Sequence, residues 1–231
     1  MENIEKALNV VTNKENQFRI WMQEPFNIGE NVYSTDAHSI MKVPNNSVRV
    51  FNEFTKPENA KVILEYFDFK ESKIMDIKLS DLKDAISKIP LIDECRNADA
   101  EGKCNECEGD GQVEWEYESY TKGMDCPVCD GDGVITESKK EKTGRKIKAE
   151  GYFIDINISR LRTAMIEQLI IIADLLKVET IEVINQTKSN RGVVFKVGIA
   201  EIVMMSVLLA DEQNVIQRFE IMSEKKAMAK N

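Results

Sequence analysis

The chain writes one phrase twice: Cys-x-x-Cys-x-Gly-x-Gly, at residues 104–111 and again at 126–133. Eighteen residues separate the two Cys-x-x-Cys pairs. This repetition limits the local fold more than any other feature. Zinc favours four soft ligands in a tetrahedron, and each short knuckle delivers two thiolates. Glycine after a knuckle lets the backbone turn back over the sulfurs. The candidate ligands are therefore Cys104, Cys107, Cys126 and Cys129, and the expected cofactor is one structural Zn2+ per chain. A disulfide framework is the rival reading, and a reducing compartment opposes it. The fifth cysteine, Cys95, is expected to be a buried thiol rather than a ligand. The segments beyond the knuckles, QVEWEYESY and GVITES, alternate like strands.

The rest of the 231-residue chain must supply a core of its own. It is 42% hydrophobic and 31% charged, which excludes wholesale disorder. A net charge of -9 opposes a purely electrostatic wrap around nucleic acid but leaves a local basic surface open. No apolar run reaches the roughly eighteen residues of a membrane span. The N-terminus has no basic segment followed by an apolar stretch, so no secretory signal is read there. A cytoplasmic location, with no membrane partner, is the expectation.

Apolar spacing predicts a helix over 2–11, then strands at 18–22, 31–35, 39–43 and 47–51. Further strands are expected at 62–69 and 73–79. A helix follows, capped by Ser80, with Leu82, Ala85, Ile86 and Ile89 as its stripe and Pro90 as its end. After the knuckles, 138–148 is basic, with a hairpin tip suggested at Thr143 and Gly144. A strand at 152–158 leads into the strongest helix, 159–177, capped by Ser159. Strands at 180–187, 192–198 and 201–207 follow, with one more at 215–221. This order implies an α+β fold: an antiparallel sheet with amphipathic helices on one face, interrupted by a small zinc-binding β-hairpin module. The expected divisions are 1–100, an inserted module at 101–137, and 138–231 with a polar C-terminal tail. Whether the helix at 80–90 belongs to the sheet domain or to the insertion stays open.

The Cys-x-x-Cys-x-Gly-x-Gly repeat resembles the cysteine-rich zinc domain of DnaJ-type co-chaperones. That family carries four repeats and two zincs; two repeats here imply one zinc. The J-domain and its His-Pro-Asp loop are absent, because the sole histidine, His38, is followed by Ser39. The resemblance implies a zinc site and not co-chaperone function. The stretch from Gly151 to Val207 is similar to the second half of a domain of the bacterial sliding clamp, the DNA polymerase III beta subunit family. It has the strand with Phe153, Ile154 and Ile156, then a long helix, then strands closing on an apolar, Met-rich beat at 202–207. The stretch 31–44, with Thr35, Asp36, Ala37 and His38, resembles the clamp's first-half hairpin. A clamp subunit has three such domains; this chain has room for about one.

The clamp resemblance implies a non-enzymatic binding platform associated with DNA replication or repair, in a phage or mobile element. Its implied partners are duplex DNA, a protein partner and further copies of the chain, with no small-molecule substrate. The alternatives are a zinc-finger protein–protein adaptor that does not bind DNA, and a transcriptional regulator. The basic run offers Lys139, Lys140, Lys142, Arg145, Lys146 and Lys148 as candidate phosphate contacts; a solvated hairpin is the plainer reading. Trp115, Tyr117 and Tyr120 could stack on bases, but covering a small zinc core is preferred. Asp110 and Asp132, between the glycines, would repel a phosphate backbone. Asp36 reads as a turn residue, and His38 as a turn or packing residue. No Walker motif, dinucleotide loop or Ser-His-Asp constellation stands out, so no enzymatic activity is expected.

Overall fold

In the computed structural model the chain divides into two compact units, Met1–Ile89 with Ala149–Asn231, and Pro90–Lys148. The structure describes residues 2–69, 72–186, 192–207 and 214–221, and only the backbone of 99, 100 and 137–139. The polar residues 211–213 and 222–231 of the expected tail lie outside the described residues.

The first unit opens with α1 (Glu2–Val10), β1 (Phe26–Ile28), β2 (Asn31–Thr35), β3 (Ser39–Pro44), α2 (Pro57–Glu65), β4 (Met75–Lys78) and α3 (Leu79–Ser87). The second unit holds β5 (Leu91–Lys103), β6 (Gln112–Tyr117), β7 (Tyr120–Asp125) and β8 (Val134–Lys148). The chain then returns to the first unit through β9 (Phe153–Ile156), β10 (Ser159–Arg162), α4 (Thr163–Leu176), β11 (Thr180–Gln186), β12 (Val193–Val197), β13 (Ala200–Met204) and β14 (Val215–Phe219).

Seven strands form one antiparallel sheet in the order β1-β2-β3-β13-β12-β11-β4. Two three-stranded meanders, each preceded by a helix, meet edge to edge at β3 and β13. The strand period of two assigns the faces. Val32, Met41, Val43, Val193, Phe195, Ile202 and Met204 join the main core with helices α1, α3 and α4. Their neighbours Tyr33, Ile40, Val194 and Val203 point to the other face. There they pack with Phe26 and with Ile63 of α2, and Trp21 and Phe54 cover the cluster. Helices thus concentrate on one face, as the sequence suggests, but the short α2 covers part of the other.

The α3 helix belongs to the sheet domain. Leu82 and Ala85 are fully buried in the main core, with Ile86 and Ile89 beside them. A three-stranded sheet, β10-β9-β14, adds to the same unit. It holds a buried ion pair in which the Arg160 guanidinium donates to both Asp155 carboxylate oxygens at 2.8 and 3.0 Å. Among the described residues, no helix is long and apolar enough to cross a membrane.

Several elements differ from the sequence expectation. Residues 18–22 contain a short 3-10 turn, Ile20–Met22, not a strand. Residues 48–51 form no strand. The β-branched and aromatic run at 62–69 forms no strand: 62–65 end helix α2, which Pro57 opens at a position where its missing N–H costs nothing, and 66–69 are turn and irregular. Ser159 starts strand β10, and α4 begins at Thr163, with Arg162 in the capping position. Lys78, not Ser80, precedes α3 as its cap residue. The second unit is also wider than 101–137, because β5 and β8 pair as a continuous ribbon from Leu91–Lys148 to Lys103–Val134. Thr143 and Gly144 form no hairpin tip. They sit in a bulge of this ribbon, where the register shifts between Asp93 and Cys95.

Candidate metal centre

The two knuckles adopt the same backbone. Glu108 and Asp130 have φ of 52° and 50°, and the glycines that follow match as closely: 93° and 91°, then 75° and 73°. Each knuckle closes on itself, with Gly109 N–H donating to the Cys104 carbonyl and Gly131 N–H to that of Cys126, both at 3.2 Å. Each also holds the other. Cys104 N–H donates to the Gly133 carbonyl at 2.9 Å, and Cys126 N–H to the Gly111 carbonyl at 2.8 Å. Gly111 and Gly133 must be glycine for a second reason. A Cβ there would lie 2.2 Å from the Gly131 oxygen and 2.3 Å from the Gly109 oxygen.

This pairing brings the four thiols together. Sγ of Cys104 lies 3.7 Å from that of Cys126, and Cys107 lies 3.7 Å from Cys129. All four sulfurs fall within 4.8 Å of one another and are buried, an arrangement that could hold a metal ion. Backbone N–H groups of Gly111 and Gly133 point at Cys107 and Cys129, each at 3.2 Å. Burial opposes ionisation of Cys107, but the N–H groups of Gly111 and Gly109 and the adjacent thiols outweigh it and bring that thiol down to about 7. Burial, with Cys107 and Cys126 alongside, pushes Cys129 up to about 11. The two sites are built alike, so the split belongs to the pair: the first thiolate makes the second harder to form. Val113 and Ile135 pack against the sulfurs and complete a small core that sequence reading did not assign.

Other candidates fall elsewhere. Cys95 is exposed on β5 and stands outside the cluster, contrary to the buried thiol expected; among the described residues β5 pairs only with β8, and its neighbours Arg96 and Asn97 are exposed as well. Trp115, Tyr117 and Tyr120 do not cover the sulfurs. They stand on the β6–β7 hairpin, each more than half exposed. Of the basic run, Lys140, Lys142, Arg145, Lys146 and Lys148 lie on β8, while the Lys139 side chain lies outside the described residues. Lys142 and Lys146 both bind the Asp93 carboxylate, at 2.6 and 3.1 Å. These lysines, Lys142 first, lower the Asp93 pKa, and Asp93 in turn raises that of Lys142. Two of the candidate phosphate contacts are therefore engaged by an acid of the neighbouring strand. Asp36 is a turn residue: one oxygen accepts from the His38 and Ser39 N–H groups, and the other accepts from Gln168 of α4. His38 itself is exposed.

The helix layer of the first unit is acidic. Helices α1, α3 and α4 carry Glu2, Glu5, Asp81, Asp84, Glu167 and Asp174 against Lys6 and Lys83. Both lysines are paired, Lys6 with Glu2 and Lys83 with Asp174. Arg160, which the sequence places on the long helix, is buried on β10 instead.

No family model matches the chain, and no curated protein matches it. Among solved structures it is similar to bacterial sliding clamps. The DNA polymerase sliding clamp of Bacillus subtilis aligns at 10% identity and TM-score 0.45, covering 90% of this chain and 62% of the clamp. The sliding clamp, DNA polymerase III subunit beta, of Bartonella birtlesii aligns at 11% identity and TM-score 0.44, covering 90% and 64%. The Pseudomonas aeruginosa DNA polymerase III subunit beta gives 11%, 0.43, 90% and 64%. The chain spans less than two thirds of the length of each of these clamps. At such identities and scores the likeness assigns this chain no partner and no activity.

Proposed function

We propose that this chain is a non-enzymatic binding platform of sliding-clamp-like fold, associated with DNA replication or repair and stabilised by one structural zinc ion. The observation that carries the zinc reading is the sulfur geometry. A tetrahedron with zinc–sulfur bonds of about 2.3 Å has edges of about 3.8 Å, and the Cys104–Cys126 and Cys107–Cys129 sulfur pairs lie at 3.7 Å. Zinc held there would crosslink the two knuckles of a module that has little other core. The platform reading is supported by the first unit, where two helix-led meanders share one sheet. Elemental analysis of protein purified without added metal tests the zinc reading, with about one zinc per chain expected and metal-free folded protein counting against it.

A second reading shares the scaffold but leaves DNA out: a protein–protein adaptor. The acidic helix layer favours it, because DNA affinity comes chiefly from Lys and Arg that displace counterions. Fluorescence anisotropy of labelled duplex DNA across a salt series separates the two. Binding that weakens steeply with salt supports DNA contact; no binding at low salt supports the adaptor.

A further inference from the structure

The β6–β7 hairpin sorts its side chains sharply between its two faces. Residues directly opposite in an antiparallel pair share a face. Val113 faces Met124, Trp115 faces Lys122, and Tyr117 faces Tyr120. One face is therefore apolar and aromatic apart from Lys122. The other carries Glu114, Glu116 and Asp125. Trp115 is 55% exposed, Tyr117 59%, Tyr120 73% and Met124 49%. The Trp115 and Tyr117 rings stack with centroids 5.7 Å apart and planes 8° from parallel. That contact stiffens the hairpin but leaves the outer surfaces of both rings in water. Rigid, amphipathic aromatics of this kind anchor protein interfaces at low entropic cost.

Charge decides what such a face accepts. Between Cys104 and Cys129 with its trailing Asp-Gly pairs, residues 104–133 hold nine Asp or Glu and one basic residue, Lys122. Four metal-bound thiolates would add net negative charge. A phosphate backbone is repelled by this field, whereas Lys and Arg are attracted to it and stack on aromatic faces.

We propose that the aromatic face of the β6–β7 hairpin docks a basic, apolar segment of a partner protein. Leucine, phenylalanine or arginine side chains of that segment lie across Trp115 and Tyr117, while the negative field of the module's carboxylates attracts its flanking Lys and Arg. This deepens the platform reading, in its protein-binding form, by assigning the surface and the chemistry of the partner.

The test pans a displayed random peptide library against the full metal-loaded chain, then repeats it on Trp115→Ala/Tyr117→Ala and on Glu114→Gln/Glu116→Gln/Glu118→Gln. Recovered peptides are resynthesised and titrated by fluorescence anisotropy, with metal content checked for each variant. Peptides rich in Lys or Arg around large apolar residues are expected. They should bind the aromatic variant about tenfold or more weakly, and the charge variant more weakly with a smaller salt dependence. Acidic or uncharged binders, or affinities unchanged by the aromatic substitutions, overturn the proposal while leaving the platform reading standing. Failure to recover any binder overturns the proposal and the protein-binding form of the platform reading. Tighter retention of oligothymidylate than of any peptide, through Trp115 and Tyr117, overturns the proposal in favour of nucleic acid. The charge variant alters only exposed carboxylates, so it keeps the test decisive even if the aromatic variant loses its metal.

Discussion

One methyl group at Gly111 would meet the Gly131 carbonyl oxygen at 2.2 Å, across the seam where the two knuckles grip each other. Gly109 shares the left-handed backbone, but a Cβ there meets the flexible Lys103 side chain at 3.4 Å and the Gly133 oxygen at an ordinary van der Waals distance of 3.8 Å. Gly111→Ala should therefore cost more than Gly109→Ala. The expected difference is about 2 kcal/mol or more, since only the former adds a backbone clash to the conformational strain. Competitive metal titration of the two variants measures it; equal metal affinities would contradict the packing described here. Cysteines divide in the same way. Cys104→Ser and Cys129→Ser should release the metal, whereas Cys95→Ser, at an exposed site outside the cluster, should not. Protons enter at this scale as well. Burial and the adjacent thiols push one member of the Cys107–Cys129 pair, Cys129, up to about 11, so metal binding at neutral pH displaces a proton from the pair. Metal uptake is expected to release protons, and retention to fall as the solution is acidified, because protons compete with the metal for the thiolates. Calorimetry in two buffers of different ionisation heat gives the proton count, and a buffer-independent heat would contradict it. The clustering of Cys104, Cys107, Cys126 and Cys129 was legible in the sequence because spacing alone delivers two thiols per knuckle. The position of Cys95 was not, because a single thiol carries no period from which to read its face.

Among the elements, strands β2, β3, β11, β12 and β13 were legible because each alternates between two buried layers with distinct partners. The period-two signal is then reinforced on both faces. The stretch 62–69 misled for a physical reason. Its Val, Ile, Tyr and Phe have strand propensity, yet the segment must cover the outer face of a sheet whose places are already filled. Tertiary packing outweighs so small a preference. Ser159 misled because a small polar residue before an apolar stripe looks the same whether it caps a helix or starts a strand. Its hydroxyl is buried without a hydrogen-bond partner among the described residues. The membership of α3 was undecidable from its stripe, since amphipathicity says that a face is buried but not against what. The structure puts Leu82 in the core of the sheet domain. Leu82→Ala should accordingly lower the stability of that domain by about 2–5 kcal/mol and leave metal affinity unchanged. Urea unfolding followed beside metal titration checks both halves; a loss of metal affinity would move α3 to the inserted unit.

At the scale of the whole molecule, a net charge of -9 coexists with a basic run on β8, and the structure shows how the two are reconciled. Asp93 engages two of the lysines, and Arg96 pairs with Glu141. Exposed pairs of this kind contribute little stability, but they leave less charge for an outside phosphate. Substituting Lys142 and Lys146, the two lysines that Asp93 engages, by Gln is therefore expected to leave duplex DNA affinity unchanged; a marked loss would restore β8 as a nucleic-acid surface. The two compact units make the central claim testable in one experiment. If four thiolates hold a single metal that maintains the 104–133 module, and the seven-stranded sheet stands on its own core, then removing the metal should affect one unit and spare the other. Hydrogen-exchange mass spectrometry of the full chain, before and after chelation, is the direct measurement. The expected result is loss of amide protection across 104–133 with protection in β3, β11, β12 and β13 unchanged. Protection unchanged in the knuckles, or lost together in both units, would contradict it.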